Sequence, residues 1–99
     1  MQFTYKTIAD VREANAMIKG FWFEPDTMRF FNTRIESKLI GGKYFITSER
    51  RDDQFPRLYS VRMATPDGRI ETIGRFQAYG SKDEARAALR ALLVLEAAR

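Results

Sequence analysis

Arg34-Ile35-Glu36-Ser37-Lys38-Leu39, then Gly41-Gly42, then Lys43-Tyr44-Phe45-Ile46-Thr47-Ser48-Glu49: this stretch decides the fold. In its first part Ile35 and Leu39 fall on one parity and Arg34, Glu36 and Lys38 on the other. That period of two belongs to a strand with one covered face. Gly41-Gly42 fits a two-residue hairpin loop, because glycine adopts positive φ at both positions without steric cost. The second part is rich in β-branched and aromatic residues, which favour strands. The two parts therefore predict a hairpin of residues 34–39 and 43–49.

Working outward from this hairpin, Arg50-Arg51-Asp52-Asp53-Gln54-Phe55-Pro56 is a charged loop. Residues 57–64 predict a third strand, with Tyr59, Val61 and Met63 on one face and Leu58, Ser60 and Arg62 on the other. Thr65-Pro66-Asp67-Gly68 has the Pro and Gly placement of a type I turn. Residues 69–77 predict a fourth strand, in which Gly74 marks a bulge or a close approach. Each end of the chain predicts a helix. Thr7 and Asp10 form a carboxylate variant of the capping box, Ile8, Val11, Ala14 or Asn15, and Ile18 recur at helical spacing, and Gly20 offers a left-handed stop. Ser81 and Glu84 open the last helix, whose buried stripe reads Ala85, Ala88, Leu89, Leu92 and Leu95. Pro25 suits the first position of a short helix or a turn. The expected fold is one α+β domain over residues 1–99: N-terminal helix, short helix or turn, four-stranded antiparallel meander, and a C-terminal helix packed on one face. The simplest packing lays the helices on one face of the sheet and leaves the other solvated and free to bind.

Composition limits the chemistry. The chain has no histidine and no cysteine. Ser-His-Asp and Cys-His catalysis are impossible, and so are disulfides and cysteine-ligated metal sites. Neither a cofactor nor a metal is expected, and no catalytic residue is assigned. Asp52, Asp53 and Glu49 form the one acidic cluster, and nearby Arg50, Arg51 and Arg57 make it an ion-paired loop rather than a cation site. Glu24 and Asp26 could pair as acid and base, but nothing in the sequence fixes their separation. No apolar run reaches the roughly 18 residues of a membrane span, and the first residues lack a signal-peptide core. A cytoplasmic protein that touches no membrane is the expectation.

Two features point to binding. The first is Phe21-Trp22-Phe23 with Phe30-Phe31, five aromatics within eleven residues. It reads either as core filling or as a partly exposed ledge with Trp22, Phe30 and Phe31 as anchors. The second is arginine. Seventeen basic residues face thirteen acidic ones, and twelve of the seventeen are Arg. A net charge of +4 fits nucleic acid or an acidic protein surface, and equally the ordinary solubility of a small domain. Arg50, Arg51 and Arg57 cluster at one loop and join the aromatics as a candidate protein-binding set. Arg62 and Arg75, with Tyr44 or Tyr59, would form a nucleic-acid platform on the open sheet face, edged by Lys82, Arg86 and Arg90 of the last helix.

Residues 80–88, Gly-Ser-Lys-Asp-Glu-Ala-Arg-Ala-Ala, resemble the start of the last helix in double-stranded-RNA-binding domains. That likeness gives Lys82 and Arg86 a phosphate-contacting role, though Asp83 stands where that family has a lysine. The same stretch after a turn and strand is similar to the arm-binding domains of phage-type integrases. Over most of the chain, residues 23–31, 44–49 and 59–62 resemble small uncharacterised accessory proteins of phages and mobile elements. That resemblance implies a protein that binds and blocks host machinery, an anti-CRISPR being one class. The expected function is thus a non-enzymatic binding or inhibitor protein whose partner is a host protein or protein–nucleic-acid complex. The alternative is a small nucleic-acid-binding domain.

Overall fold

The structure, a computed structural model, describes residues 4–98. Its elements run α1 (Ile8–Met17), α2 (Pro25–Phe30), β1 (Arg34–Ile35), β2 (Tyr44–Glu49), β3 (Leu58–Ala64), β4 (Ile70–Ile73) and α3 (Lys82–Ala97). The strands form one antiparallel sheet in the order β1-β2-β3-β4. This is the expected α+β meander.

Helix α1 begins as its sequence dictates. The Thr7 hydroxyl accepts the Asp10 N–H at 3.2 Å, and the Asp10 carboxylate accepts the Thr7 N–H at 3.1 Å. It ends differently. Lys19, not Gly20, takes the left-handed conformation, with φ of 58°. Gly20 is needed for space instead, because a Cβ there would fall 2.5 Å from Asn15 Nδ2. At α3, Ser81 Oγ accepts the Glu84 N–H at 3.1 Å. The reciprocal half of the box is shifted by one residue: Glu84 reaches the Gly80 N–H at 3.0 Å. Leu95 is 65% exposed and lies off the buried stripe, whereas Leu93 is packed against the core.

Both outer strands are shorter than their sequence pattern. Arg34 pairs with Ser48 and Ile35 with Thr47, yet Ile40 pairs with Tyr44. The Glu36 N–H still bonds the Ile46 carbonyl, so Ser37, Lys38 and Leu39 together oppose Phe45 alone. This bulge is stabilised by Ser37 Oγ, which accepts the Ile46 N–H at 2.9 Å in place of a backbone carbonyl. Gly41 and Gly42 have φ of 61° and 76°, and Lys43 completes a three-residue rather than a two-residue loop. Strand β4 stops where Gly74 turns to φ 76°. Residues 74–77 loop out, and the chain returns to β3 as Tyr79 pairs with Tyr59. Gln77 holds a left-handed φ of 56° because its N–H donates to Ser60 Oγ at 2.7 Å and its Nε2 to the Glu49 carbonyl at 3.0 Å.

The open sheet face does not form. Every residue of β2 is buried. On one face Tyr44, Ile46 and Val61 pack with Ala85 and Leu89 of α3. On the other, Phe45 and Ala64 pack with Tyr5, Val11 and Phe23, supported by Ile8, Ala14 and Trp22. The helices therefore divide between the two faces. The aromatic segment closes the second face because Trp22, Phe23 and Phe45 interlock, with ring centroids 4.8 to 6.4 Å apart.

Candidate partner-binding surfaces

Beyond Phe45, the face under the aromatic segment turns polar. The register places Thr47 and Glu49 of β2, Ser60 and Arg62 of β3, and Thr72 of β4 side by side. Arg62 Nε donates to Thr47 Oγ1 at 3.0 Å, and its NH1 donates to Thr72 Oγ1. Its NH2 lies 3.4 Å from Glu49 Oε2, and the two side chains are only 9% and 3% exposed. Burial pushes the Arg62 guanidinium down from its ordinary value, and Glu49 opposes that shift. The guanidinium also lies over the rings of Trp22 and Phe76, 5.5 and 5.0 Å from their centroids. Among the described residues Glu49 Oε2 has no hydrogen-bond partner, its contact being the Arg62 ion pair.

This ion pair forms the floor of a small cavity of about 170 Å³ walled by Trp22, Phe31 and Phe76. Phe31 is 47% exposed, Phe76 50% and Phe30 78%. Phe30 and Phe31 meet edge to face at 4.9 Å. The aromatic segment therefore divides between core and surface. Phe23 and, in part, Trp22 fill the core, while Phe30 and Phe31 stand out from it.

The arginine loop borders this surface through one residue. Asn32 ends α2 at φ 51°, a conformation that asparagine tolerates better than most residues. Its Nδ2 donates to the Arg50 carbonyl at 3.1 Å, and its own carbonyl accepts from Arg57 NH1 at 2.6 Å. Arg57 also donates to the carbonyl and hydroxyl of Ser48, both at 3.0 Å, and so braces the loop rather than presenting a free cation. Burial lowers its guanidinium, and the charges of Arg34 and Arg50 lower it further. Arg50 pairs with Asp53 at 2.8 Å, and Arg51 lies over the Phe55 ring. Asp52 caps the Gln54 N–H at 2.8 Å. With Glu49 facing Arg62, the acidic cluster is dispersed, and among the described residues no carboxylate group is arranged to hold a metal ion. Asp26 pairs with Arg29 at 3.5 Å, and both side chains are exposed.

The proposed nucleic-acid platform is split apart. Tyr44 and Tyr59 lie on the α3 face, and Tyr44 is 2% exposed. Its hydroxyl donates to Glu96 Oε1, and burial together with that carboxylate pushes it up to about 12. Arg62 is buried on the opposite face, and Arg75 rides on the loop after Gly74. Lys82, Arg86 and Arg90, however, do share one edge of α3. They line a groove of about 1190 Å³ between α3, residues 35–40 and the start of α1. Lys6 and Lys38 join them from the far wall. Sequence spacing reveals the three helical cations but not these two, which lie far away along the chain. Among the described residues no helix is long and apolar enough to cross a membrane.

Comparison with known proteins gives one kinship. The model of the Family of unknown function (DUF7447) matches residues 7–90. The chain belongs to this family. The DUF7447 match runs from the Thr7 cap to Arg90 and so spans the whole aromatic surface and most of the groove. No curated protein and no solved structure matches the chain.

Proposed function

We propose that this chain is a non-enzymatic binding protein that engages a partner protein through the aromatic surface around Trp22. One observation carries the reading: Phe31 and Phe76, each about half exposed, flank a cavity with an ion-paired floor, and Phe30 stands beside them. Exposed aromatic side chains around a pocket match the anatomy of binding hot spots, where rings bury large areas at low entropic cost. The absence of His and Cys supports a binding role over catalysis. So does the state of the buried charges, since Glu49 and Arg62 are committed to each other. In its finer form the partner is a host protein or protein–nucleic-acid complex that the chain blocks, with an anti-CRISPR role as one version. That form is supported only by the resemblance to phage and mobile-element accessory proteins.

The test is affinity capture from host lysate with the full chain and with Phe30→Ala/Phe31→Ala. Wild type should retain one defined complex that the variant loses. The variant's thermal midpoint should hold, because exposed positions contribute little to stability, within about 0.5 kcal/mol. Identical capture by both proteins would remove the aromatic surface as the contact.

A further inference from the structure

We propose that the groove between α3, residues 35–40 and the start of α1 is a docking site for an acidic amphipathic helix of a partner protein. The site shares no residue with the aromatic surface. Its rim carries five cations: Lys6 and Lys38 on one wall, Lys82, Arg86 and Arg90 on the other. Glu36 is the single carboxylate among the described lining residues, and it accepts a hydrogen bond from Ser48 Oγ at 2.8 Å. Among the described residues none of the five cations has an ion pair, although Arg29, Lys43, Arg50, Arg62 and Arg69 all do. Such a concentration of unpaired positive charge raises the local concentration of a negative partner and orients it. Lys82, Arg86 and Arg90 follow at four-residue steps, so they form a row with roughly 6 Å between members.

The floor decides which polyanion fits. It is aliphatic: Ile8, Leu39, Ile40, Leu89 and Leu93 lie along it. Nucleic acid uses such a groove poorly. Single strands stack their bases on aromatic rings, and among the described residues no aromatic side chain lines this groove. A duplex would meet the rim with its phosphates and leave the floor unfilled. A helix with carboxylates flanking an apolar stripe satisfies rim and floor together, the helix-in-groove mode of recognition. Size agrees. Two turns of helix, about 11 Å long and 10–12 Å wide, occupy roughly 1000 Å³, against about 1190 Å³ in the groove. A second copy of this chain is a poor occupant because its net charge of +4 repeats the sign of the rim.

The probe is a fluorescent designed peptide of about four helical turns, with leucines on one face and glutamates on the other, titrated into the full-length protein by anisotropy. It should bind at least ~tenfold more tightly than a scramble of the same composition. Arg86→Glu/Arg90→Glu and Leu93→Asp should each weaken it ~tenfold or more, whereas Arg51→Glu should leave it unchanged. Lys38→Glu, exposed on the opposite wall, repeats the test should an α3 variant fold poorly, as judged by its thermal melt. The proposal is overturned if the scramble binds as well, if the probe ignores rim reversal, or if no binding appears at low salt. It is equally overturned if single-stranded or duplex DNA binds more tightly than the peptide and with the same sensitivity to Arg86 and Arg90.

Discussion

The two faces of the sheet solve burial in different ways. The α3 face is mainly apolar, with Ile46, Val61, Ala85 and Leu89 in contact and the buried Tyr44 donating its hydroxyl to Glu96. The opposite face is apolar only around Phe45 and then becomes a network of Thr47, Glu49, Ser60, Arg62 and Thr72. The α3 face is held by volume and area, which tolerate exchange between similar shapes. The network is held by geometry, and each member depends on the others being present. The same network holds the loop 74–77 in place and carries Phe76 over Arg62, so the proposed binding surface is built on the geometric face.

The largest expected effect comes from breaking the network. Arg62→Ala should cost about 3–5 kcal/mol in urea denaturation, since it leaves Glu49 buried without its cation. Glu49→Leu combined with Arg62→Met should recover most of that loss. A cost under about 1 kcal/mol for the single change would place the stability of this face elsewhere. Next comes the α3 face, where Leu89→Ala should cost about 2–4 kcal/mol. Leu89→Met should cost under about 1.5 kcal/mol, and Arg62→Lys should cost more than that exchange because ammonium cannot reproduce the guanidinium fork. Equal costs for the two conservative changes would erase the distinction between the faces.

The smallest effect is confined to alkaline pH. Tyr44 is raised from 10.0 to about 12 in the folded protein. Above pH 10 the unfolded chain loses this proton first, so stability should be complete below pH 10 and fall between pH 10 and 12. Because solvent screens the hydroxyl and the partly exposed Glu96, the loss amounts to only about 1 kcal/mol. Tyr44→Phe should flatten that part of the pH profile of the denaturation midpoint. An unchanged profile would mean that the Glu96 contact is not formed in solution.

Particular residues show what could be read in the sequence. The helices and hairpins were legible because Thr7, Ser81, Gly41-Gly42 and Thr65-Pro66-Asp67-Gly68 act locally, through bonds a few residues long. Strand lengths were not, because the ladder is interrupted by contacts across the sheet: Ser37 to Ile46, and Gln77 to Ser60 and Glu49. The covered second face was hidden by polarity. Thr47, Glu49, Ser60 and Arg62 alternate as a solvated face would, and only pairing across strands allows them to be buried. The run Tyr44-Phe45-Ile46, apolar on both parities, is the signal that β2 is covered from both sides. The groove was half legible. Helical spacing aligns Lys82, Arg86 and Arg90, but only the tertiary fold brings Lys6 and Lys38 opposite them.

Helix α1 meets the rest of the molecule at the β3–β4 turn. Asn15 Nδ2 donates to the Gly68 carbonyl at 2.9 Å, and Gly68, at φ 93°, lies so close that a Cβ would fall 2.5 Å from the Ala14 carbonyl oxygen. On the ribosome this joint sets a timetable. α1 is synthesised first, yet its seat is absent until some fifty further residues have been added and the last hairpin has closed. At roughly 5–20 residues per second, that leaves the helix undocked for several seconds. A ten-residue helix is marginal on its own in water, so for that interval α1 lacks the contact that fixes it.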